Sequence, residues 1–138
     1  MYGKYRHTVD PKGRLFVPSK LRDELGDAFY VTLGLDNCLS VYTESGWQAI
    51  VERYNALPIS QSKKIRFLFA NAAKCEPDKQ GRFLIPAELR RYAGLQQDVT
   101  FIGQGGHAEI WDSEAYEKLE SDTLTPENLA AAMEELGF

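Results

Sequence analysis

Two arginines in this chain stand where an arginine can do more than solvate a surface. Arg14 closes the run Asp10-Pro11-Lys12-Gly13-Arg14, and Arg82 closes Asp78-Lys79-Gln80-Gly81-Arg82. In each run the glycine supplies the positive φ that a tight turn needs, and the aspartate can accept hydrogen bonds from the turn's backbone. The arginine four residues after its aspartate is open to two uses. It can clamp the loop through an ion pair, worth little at a surface, or it can present its planar fork of donors to a phosphate or a base edge. The first turn is tilted toward the second use by its company, since Lys4, Arg6 and Lys12 flank Arg14, whereas Gln80 replaces the lysine beside Arg82.

Other chemistries lack their residues in the required pattern. His7, His107, Cys38 and Cys75 are singletons without metal-ligand spacing, so no metal and no cofactor is expected. Gly103-Gln104-Gly105-Gly106 is followed by no P-loop lysine and no strand-to-helix context, and reads as a hairpin turn. No nucleophile elbow is present, and paired carboxylates occur only in acidic stretches such as Glu134-Glu135, so nothing points to an enzymatic reaction. Two widely spaced cysteines form neither a disulfide framework nor a zinc motif and indicate a reducing, cytoplasmic setting. No uncharged apolar run approaches the roughly 20 residues of a membrane span, and the first residues lack the apolar core of a signal peptide.

The two arginine turns belong to a duplicated unit. Asp10 to Arg22 aligns without a gap on Asp78 to Arg90, with Asp, Gly, Arg, Pro, Leu and Arg identical and three further apolar exchanges. The same 68-residue offset pairs Gly26 with Gly94, Val31 with Val99 and Thr32 with Thr100; after one extra residue Trp47 falls on Tyr116. After each turn an apolar triplet, Leu15-Phe16-Val17 or Phe83-Leu84-Ile85, suits a buried strand. Pro18 and Pro86 suit the first turn of a short helix, and Gly26 and Gly94 its end. Phe29 to Leu33 with Leu39 to Tyr42, and Val99 to Ile102 with Ala108 to Trp111, read as two hairpins. Each repeat, 5–47 and 76–119, is therefore β-turn-β-α-β-β. So small a unit cannot bury enough apolar area alone, and the two are expected to merge into one pseudo-symmetric α+β sheet or barrel. Helical spacing predicts helices over Ser45 to Ala56 and Gln61 to Ala73, parted by Pro58, and a short acidic helix from Asn128 to Leu136.

The net charge of −4 over 138 residues argues at first against an anionic partner. The charge is segregated, however. Residues 1–22 hold six basic residues against Asp10 alone, residues 63–91 hold eight against three acids, and the remainder holds two against 16. Both basic blocks contain a copy of the repeat, and segregation is what a phosphate-binding face requires. Lys4, Arg6 and Lys20 would hold the loop on a phosphate backbone while Arg14 reads a guanine edge. Helix-turn-helix, zinc-finger and basic-zipper signatures are absent, so any DNA reading falls to loops or strands.

The tandem Asp-x-x-Gly-Arg turns, together with Gly3, His7-Thr8-Val9 before the first and Phe69-Ala70-Asn71-Ala72 before the second, make the chain resemble the MraZ family of bacterial transcriptional regulators from Tyr2 to about Leu119. That resemblance implies tandem AbrB-like (SpoVT-AbrB) swapped-hairpin domains forming a β-barrel with peripheral helices, and a ring-shaped homo-oligomer. It also implies binding to double-stranded DNA at direct repeats before a division and cell-wall operon, with repression of the protein's own promoter. The family's DNA-contacting arginine falls on Arg14, and Lys12 follows by its place in the loop. Arg82 is either a contact or a clamp of an altered second loop. Asp10, Gly13, Asp78 and Gly81 form the turns. A cytoplasmic, nucleoid-associated location would follow. The rival reading is a protein-binding module or scaffold subunit that grips an acidic protein with the same basic face.

Overall fold

A computed structural model describes all 138 residues. In the first half, β1 (Lys4–Thr8) leads through the Asp10 bend to β2 (Arg14–Phe16), a 3-10 turn at Ser19–Leu21, α1 (Arg22–Leu25), the hairpin β3 (Phe29–Leu33) and β4 (Leu39–Thr43), and then α2 (Glu44–Asn55), α3 (Ile59–Ser62) and α4 (Arg66–Ala70). The second half repeats this order: β5 (Ala73–Cys75), the Asp78 bend, β6 (Arg82–Leu84), α5 (Ala87–Tyr92), the hairpin β7 (Asp98–Gly103) and β8 (Ala108–Asp112), then α6 (Ser113–Thr123) and α7 (Pro126–Leu136). Side-chain caps set the longer helices. Thr43 accepts the Gly46 N–H, Asp112 the Ala115 N–H and Thr125 the Asn128 N–H, each satisfying a backbone donor that the helix cannot pair internally.

The halves interlock. Six strands form one antiparallel sheet in the order β1-β7-β8-β4-β3-β5, and β2 pairs with β6 in a separate ribbon. Apart from the two hairpins and β3 with β5, which is itself a contact between halves, the remaining pairings β1–β7, β4–β8 and β2–β6 also join one repeat to the other. Exchanging the halves leaves this list unchanged, so the duplication in sequence is a pseudo-twofold axis in space. The six-stranded sheet keeps two free edges, so the barrel expected from the resemblance is not closed. The three-residue ribbon strands β2 and β6 pair with each other and not with β1 or β5.

Strand alternation sorts residues onto two sheet faces. On one, Phe29, Val31, Leu39, Val41, Val99, Phe101 and Ile110 form a core with Leu15 and Val17 of the first repeat and Phe83 and Ile85 of the second. Leu15 lies opposite Phe83 in the ribbon, and Phe83 packs edge-on against Phe29 with ring centroids 5.0 Å apart. On the other face Trp47 of α2 stacks on Tyr30 at 5.3 Å, and Tyr116 of α6 meets Trp111 edge-on at 5.6 Å.

Two sequence expectations need correction. The helix over Gln61 to Ala73 is broken into α3, a 3-10 turn at Lys63–Ile65 and α4, and Ala73 already belongs to β5. Pairing of β5 with β3 demands extended chain from Ala73 onward, and this tertiary demand overrides the helical spacing of Ala72. The helix α6 was not anticipated, because Tyr116 and Leu119 give only a sparse apolar stripe among Glu114, Glu117 and Glu120. Its signal was the match of Tyr116 to Trp47.

If the interlocked core is one cooperative unit, Phe83→Ala should cost about 3–5 kcal/mol of stability. Urea unfolding should still show a single transition when followed by Trp47 and Trp111 fluorescence. Separate transitions for the halves would contradict the interlock.

Candidate nucleic-acid interface

Each bend is built around its aspartate. Asp10 Oδ1 accepts the backbone N–H groups of Lys12 (2.9 Å) and Arg14 (2.8 Å), and Asp10 Oδ2 accepts Arg14 Nε at 2.7 Å. The second bend repeats this geometry: Asp78 Oδ1 accepts from Gln80 and Arg82, both at 2.9 Å, and Oδ2 accepts Arg82 Nε at 3.0 Å. The backbone donors, foremost those of Arg14 and Arg82, hold both carboxyls below the ordinary aspartate pKa against a smaller opposing effect of desolvation. Gly13 and Gly81 have φ of +85° and +83°.

The clamp occupies only part of each arginine. Arg14 and Arg82 bond their aspartates through Nε, and their terminal nitrogens have no partner within the chain. Their side chains are 33% and 24% exposed. A guanidinium carries five donors in a fixed fork, so one edge can hold the turn while another stays free for a ligand. The two uses left open by the sequence are therefore compatible.

In the ribbon Arg14 lies opposite Leu84 and Phe16 opposite Arg82, so these four side chains share the outer face, with Leu15 and Phe83 beneath. Phe16 and Leu84 are exposed. The bends stand at opposite ends of this ribbon, since Ile85 N–H donates to Gly13 O and Val17 N–H to Gly81 O. They lie about 13 Å apart along it and not side by side.

Arg22 and Arg90, the last identity in the duplicated run, had no role in the sequence reading. Each crosses to the other half. The Arg90 guanidinium lies over Gly13, where a Cβ would come within 2.8 Å of its Cζ, and Arg22 covers Gly81 in the same way, its Cζ at 2.9 Å. Arg90 Nε also donates to Ile85 O at 3.1 Å. Both glycines are required by their φ, and an added Cβ would in addition have to displace the flexible guanidinium above it. The bends become comparable in charge: the first has Lys12, Arg14 and Arg90, and the second has Lys79, Arg82 and Arg22. Lys12, Lys79 and Lys20 are exposed and make no ion pair, Lys20 lying in the 3-10 turn that leads into Arg22.

Lys4 and Arg6 are placed elsewhere. They register with Ile102 and Thr100, on the sheet face away from the ribbon. There Lys4 Nζ pairs with Glu120 at 2.9 Å, and Arg6 with Glu117 at 3.0 Å and Asp98 at 3.7 Å. His7 packs edge-on to Phe101, and His107 stacks on Tyr42. Burial pushes Cys38 and Cys75 up to about 12, so neither thiol is a ready nucleophile.

Gly13→Ala should destabilise the protein by about 1–3 kcal/mol through its φ. Arg90→Ala should recover part of that loss, a coupling that a double-mutant cycle in urea reads directly; strict additivity would contradict the stacked arrangement. A depressed carboxyl pKa stabilises the fold above the unfolded value and loses that contribution as pH falls through the folded one. Thermal stability should therefore drop below about pH 4. The drop should be shallower in Asp10→Asn/Asp78→Asn, and an unchanged acid limb would contradict the carboxylate's role in the bends.

The family profile described as "MraZ protein, putative antitoxin-like" matches this chain twice, over residues 1–69 and 68–136. Each match takes in one bend, one hairpin and the helices that follow. Among curated relatives, the transcriptional regulator MraZ of Heliobacterium modesticaldum is 49% identical over 119 residues, covering 84% of this chain and 83% of its own. Those of Caldicellulosiruptor saccharolyticus and Lachnoclostridium phytofermentans are 45% and 46% identical, covering 100% and 99% of this chain and 99% and 96% of theirs. With both halves matched and relatives this similar along the whole chain, the protein belongs to the MraZ family.

Proposed function

We propose that this protein is a sequence-specific DNA-binding transcription regulator. It binds direct repeats in a promoter as a homo-oligomer, represses its own division and cell-wall operon, and so resides on the nucleoid. The observation that carries the reading is the outer face of the ribbon. Two arginines are held there by their aspartates with their terminal nitrogens free, and unpaired lysines stand beside them. Relatives matching the full chain are also named transcriptional regulators. A fork fixed by a clamp loses little freedom on docking, so it can present paired donors to guanine O6 and N7 in a major groove.

Lys12, Lys79, Lys20, Arg22 and Arg90 supply phosphate contacts, whose strength falls with salt because bound counterions are released. Arg82 contacts DNA in the same manner as Arg14, since its free edge is equivalent. Lys4 and Arg6 serve to hold β1 against α6. Phe16 and Leu84 offer apolar surface beside the arginines that could meet thymine methyl groups. The same exposed pair favours a second reading, a module that grips an acidic protein partner.

Gel shifts on the DNA upstream of the protein's own gene, at matched salt, separate these readings. One bidentate contact is worth about 1–3 kcal/mol, or roughly 5- to 150-fold. Arg14→Ala should weaken binding to the promoter by at least that much. Arg14→Lys should keep non-specific DNA binding and lose discrimination, and Lys12→Ala should reduce the salt slope by about 1. Promoter binding by Arg14→Ala equal to wild type would overturn the assignment of the contact.

A further inference from the structure

The two repeats carry equivalent outgrowths with opposite charge. After each hairpin the chain forms helices, α2 to α4 beside β3 and β4, and α6 and α7 following β8, with α6 against β7 and β8. Residues 59–70 contain Lys63, Lys64 and Arg66 and no acid, whereas residues 113–138 contain seven acids and Lys118 alone. Both segments leave apolar side chains uncovered. On the basic side Ile59 is 82% and Phe67 66% exposed; on the acidic side Leu129, Met133 and Leu136 recur at i, i+4 and i+7 along α7.

The helix α7 buries none of its 11 residues. Helices of that length are marginal in water and draw most of their stability from packing an apolar face. Beside it is a groove of about 500 Å³, walled by Trp111, Leu119, Leu124 and Leu129 and rimmed by Glu109 and Glu120. An apolar floor beside a helix carrying the unpaired carboxylates Glu127, Glu134 and Glu135 suits an apolar segment bearing cations, and this chain exposes such a segment from α3 to α4.

We propose that the α3–α4 segment of one copy docks in the α6–α7 groove of a second copy. Charge complementarity selects that occupant: Lys63, Lys64 and Arg66 meet the carboxylates of α6 and α7 around a contact between the two apolar surfaces. The α4 helix lies beside β3 and α6 beside β7 and β8, so each segment is free to meet its counterpart on another molecule. The contact is heterologous, because its two sides are different surfaces, and each added copy offers the same pair again. Packing on the helical face leaves the β2–β6 ribbon uncovered, so every copy keeps its two bends accessible. The inference rests on the homo-oligomer reading above and specifies where the copies meet.

Sedimentation equilibrium without DNA tests it. Ile59→Asp/Phe67→Asp disables the docking segment and Leu129→Asp/Met133→Asp the apolar face of α7 that borders the groove; all four positions are exposed, and circular dichroism checks that the fold persists. Each variant alone should self-associate at least tenfold more weakly than wild type and sediment as a single chain. Mixed one to one, they should form a heterodimer and stop there, because each retains one intact side. In a second pair of variants, Lys63→Glu/Lys64→Glu should weaken assembly, and combining it with Glu134→Lys/Glu135→Lys should restore it. Wild-type assembly by either aspartate variant, self-dimerisation of one, or no heterodimer on mixing would overturn this interface while leaving the homo-oligomer reading intact. A wild-type protein that sediments as one chain would overturn both. Promoter binding by the gel shift is read separately from either.

Discussion

The antiparallel pairing of β2 with β6 is the constraint from which the rest of the structure follows. It is only three residues long on each side, yet it brings Leu15 and Phe83 face to face over the core and fixes both bends at its ends. Because the strands come from different halves, neither bend can reach its final form until both halves are present. The crossing arginines add to the dependence: Arg90 from the second half closes over Gly13 in the first, and Arg22 returns the contact on Gly81. A surface loop is ordinarily among the least stable parts of a protein. These two are tied through one hydrogen-bonded ribbon to fully buried side chains, the kind of rigid support that a recognition residue needs.

The sheet divides the chain's positive charge between two tasks. Along β1 the strand period of two turns Tyr5 and His7 toward the core face and Lys4 and Arg6 toward α6, where acids meet them. A run that reads in sequence as one basic block is thus split by alternation. Its lysine and arginine on β1 fasten a strand to a helix, while Lys12, Arg14, Lys20 and Arg22 stay on the ribbon side or in the segment that follows it. Seven of the chain's 20 acids lie on α6 and α7, and α6 packs on β7 and β8.

Much of this was legible in sequence because duplication makes weak signals strong. The bends, the strand triplets, both hairpins and the helices at Ser45 and Asn128 were all marked by glycine, proline or apolar spacing, and the 68-residue offset let each copy vouch for the other. Three features were not legible, each for a physical reason. The end of α4 before Ala73 is imposed by β5 pairing with β3, a contact between residues more than forty apart along the chain. The separation of Lys4 and Arg6 from Arg14 depends on which face β1 presents, and strand period gives alternation but not its phase. The roles of Arg22 and Arg90 required knowing that the halves cross. Their identity in the repeat was visible, but a helix arginine reads by default as a solvated charge.

That crossing also changes what the two bends are worth. Taken along the chain, the first looks the more cationic, since Lys12 faces Gln80 across the alignment. In space each bend borrows an arginine from the opposite helix, and Lys79 occupies the position of Pro11, so both carry one clamped arginine, one covering arginine and one free lysine. The residues that duplication kept are those the bend cannot lose: the aspartate that binds the backbone, the glycine that admits both the φ and the guanidinium, and the arginines on either side. The positions that diverged, Pro11 against Lys79 and Lys12 against Gln80, are the exposed ones, where substitution alters a charge without altering the turn. In the proposed DNA-binding role, changes at such positions alter how strongly each bend holds a polyanion while the pairing of β2 with β6 keeps both in place. In that role one pseudo-symmetric chain supplies two similar contact points about 13 Å apart.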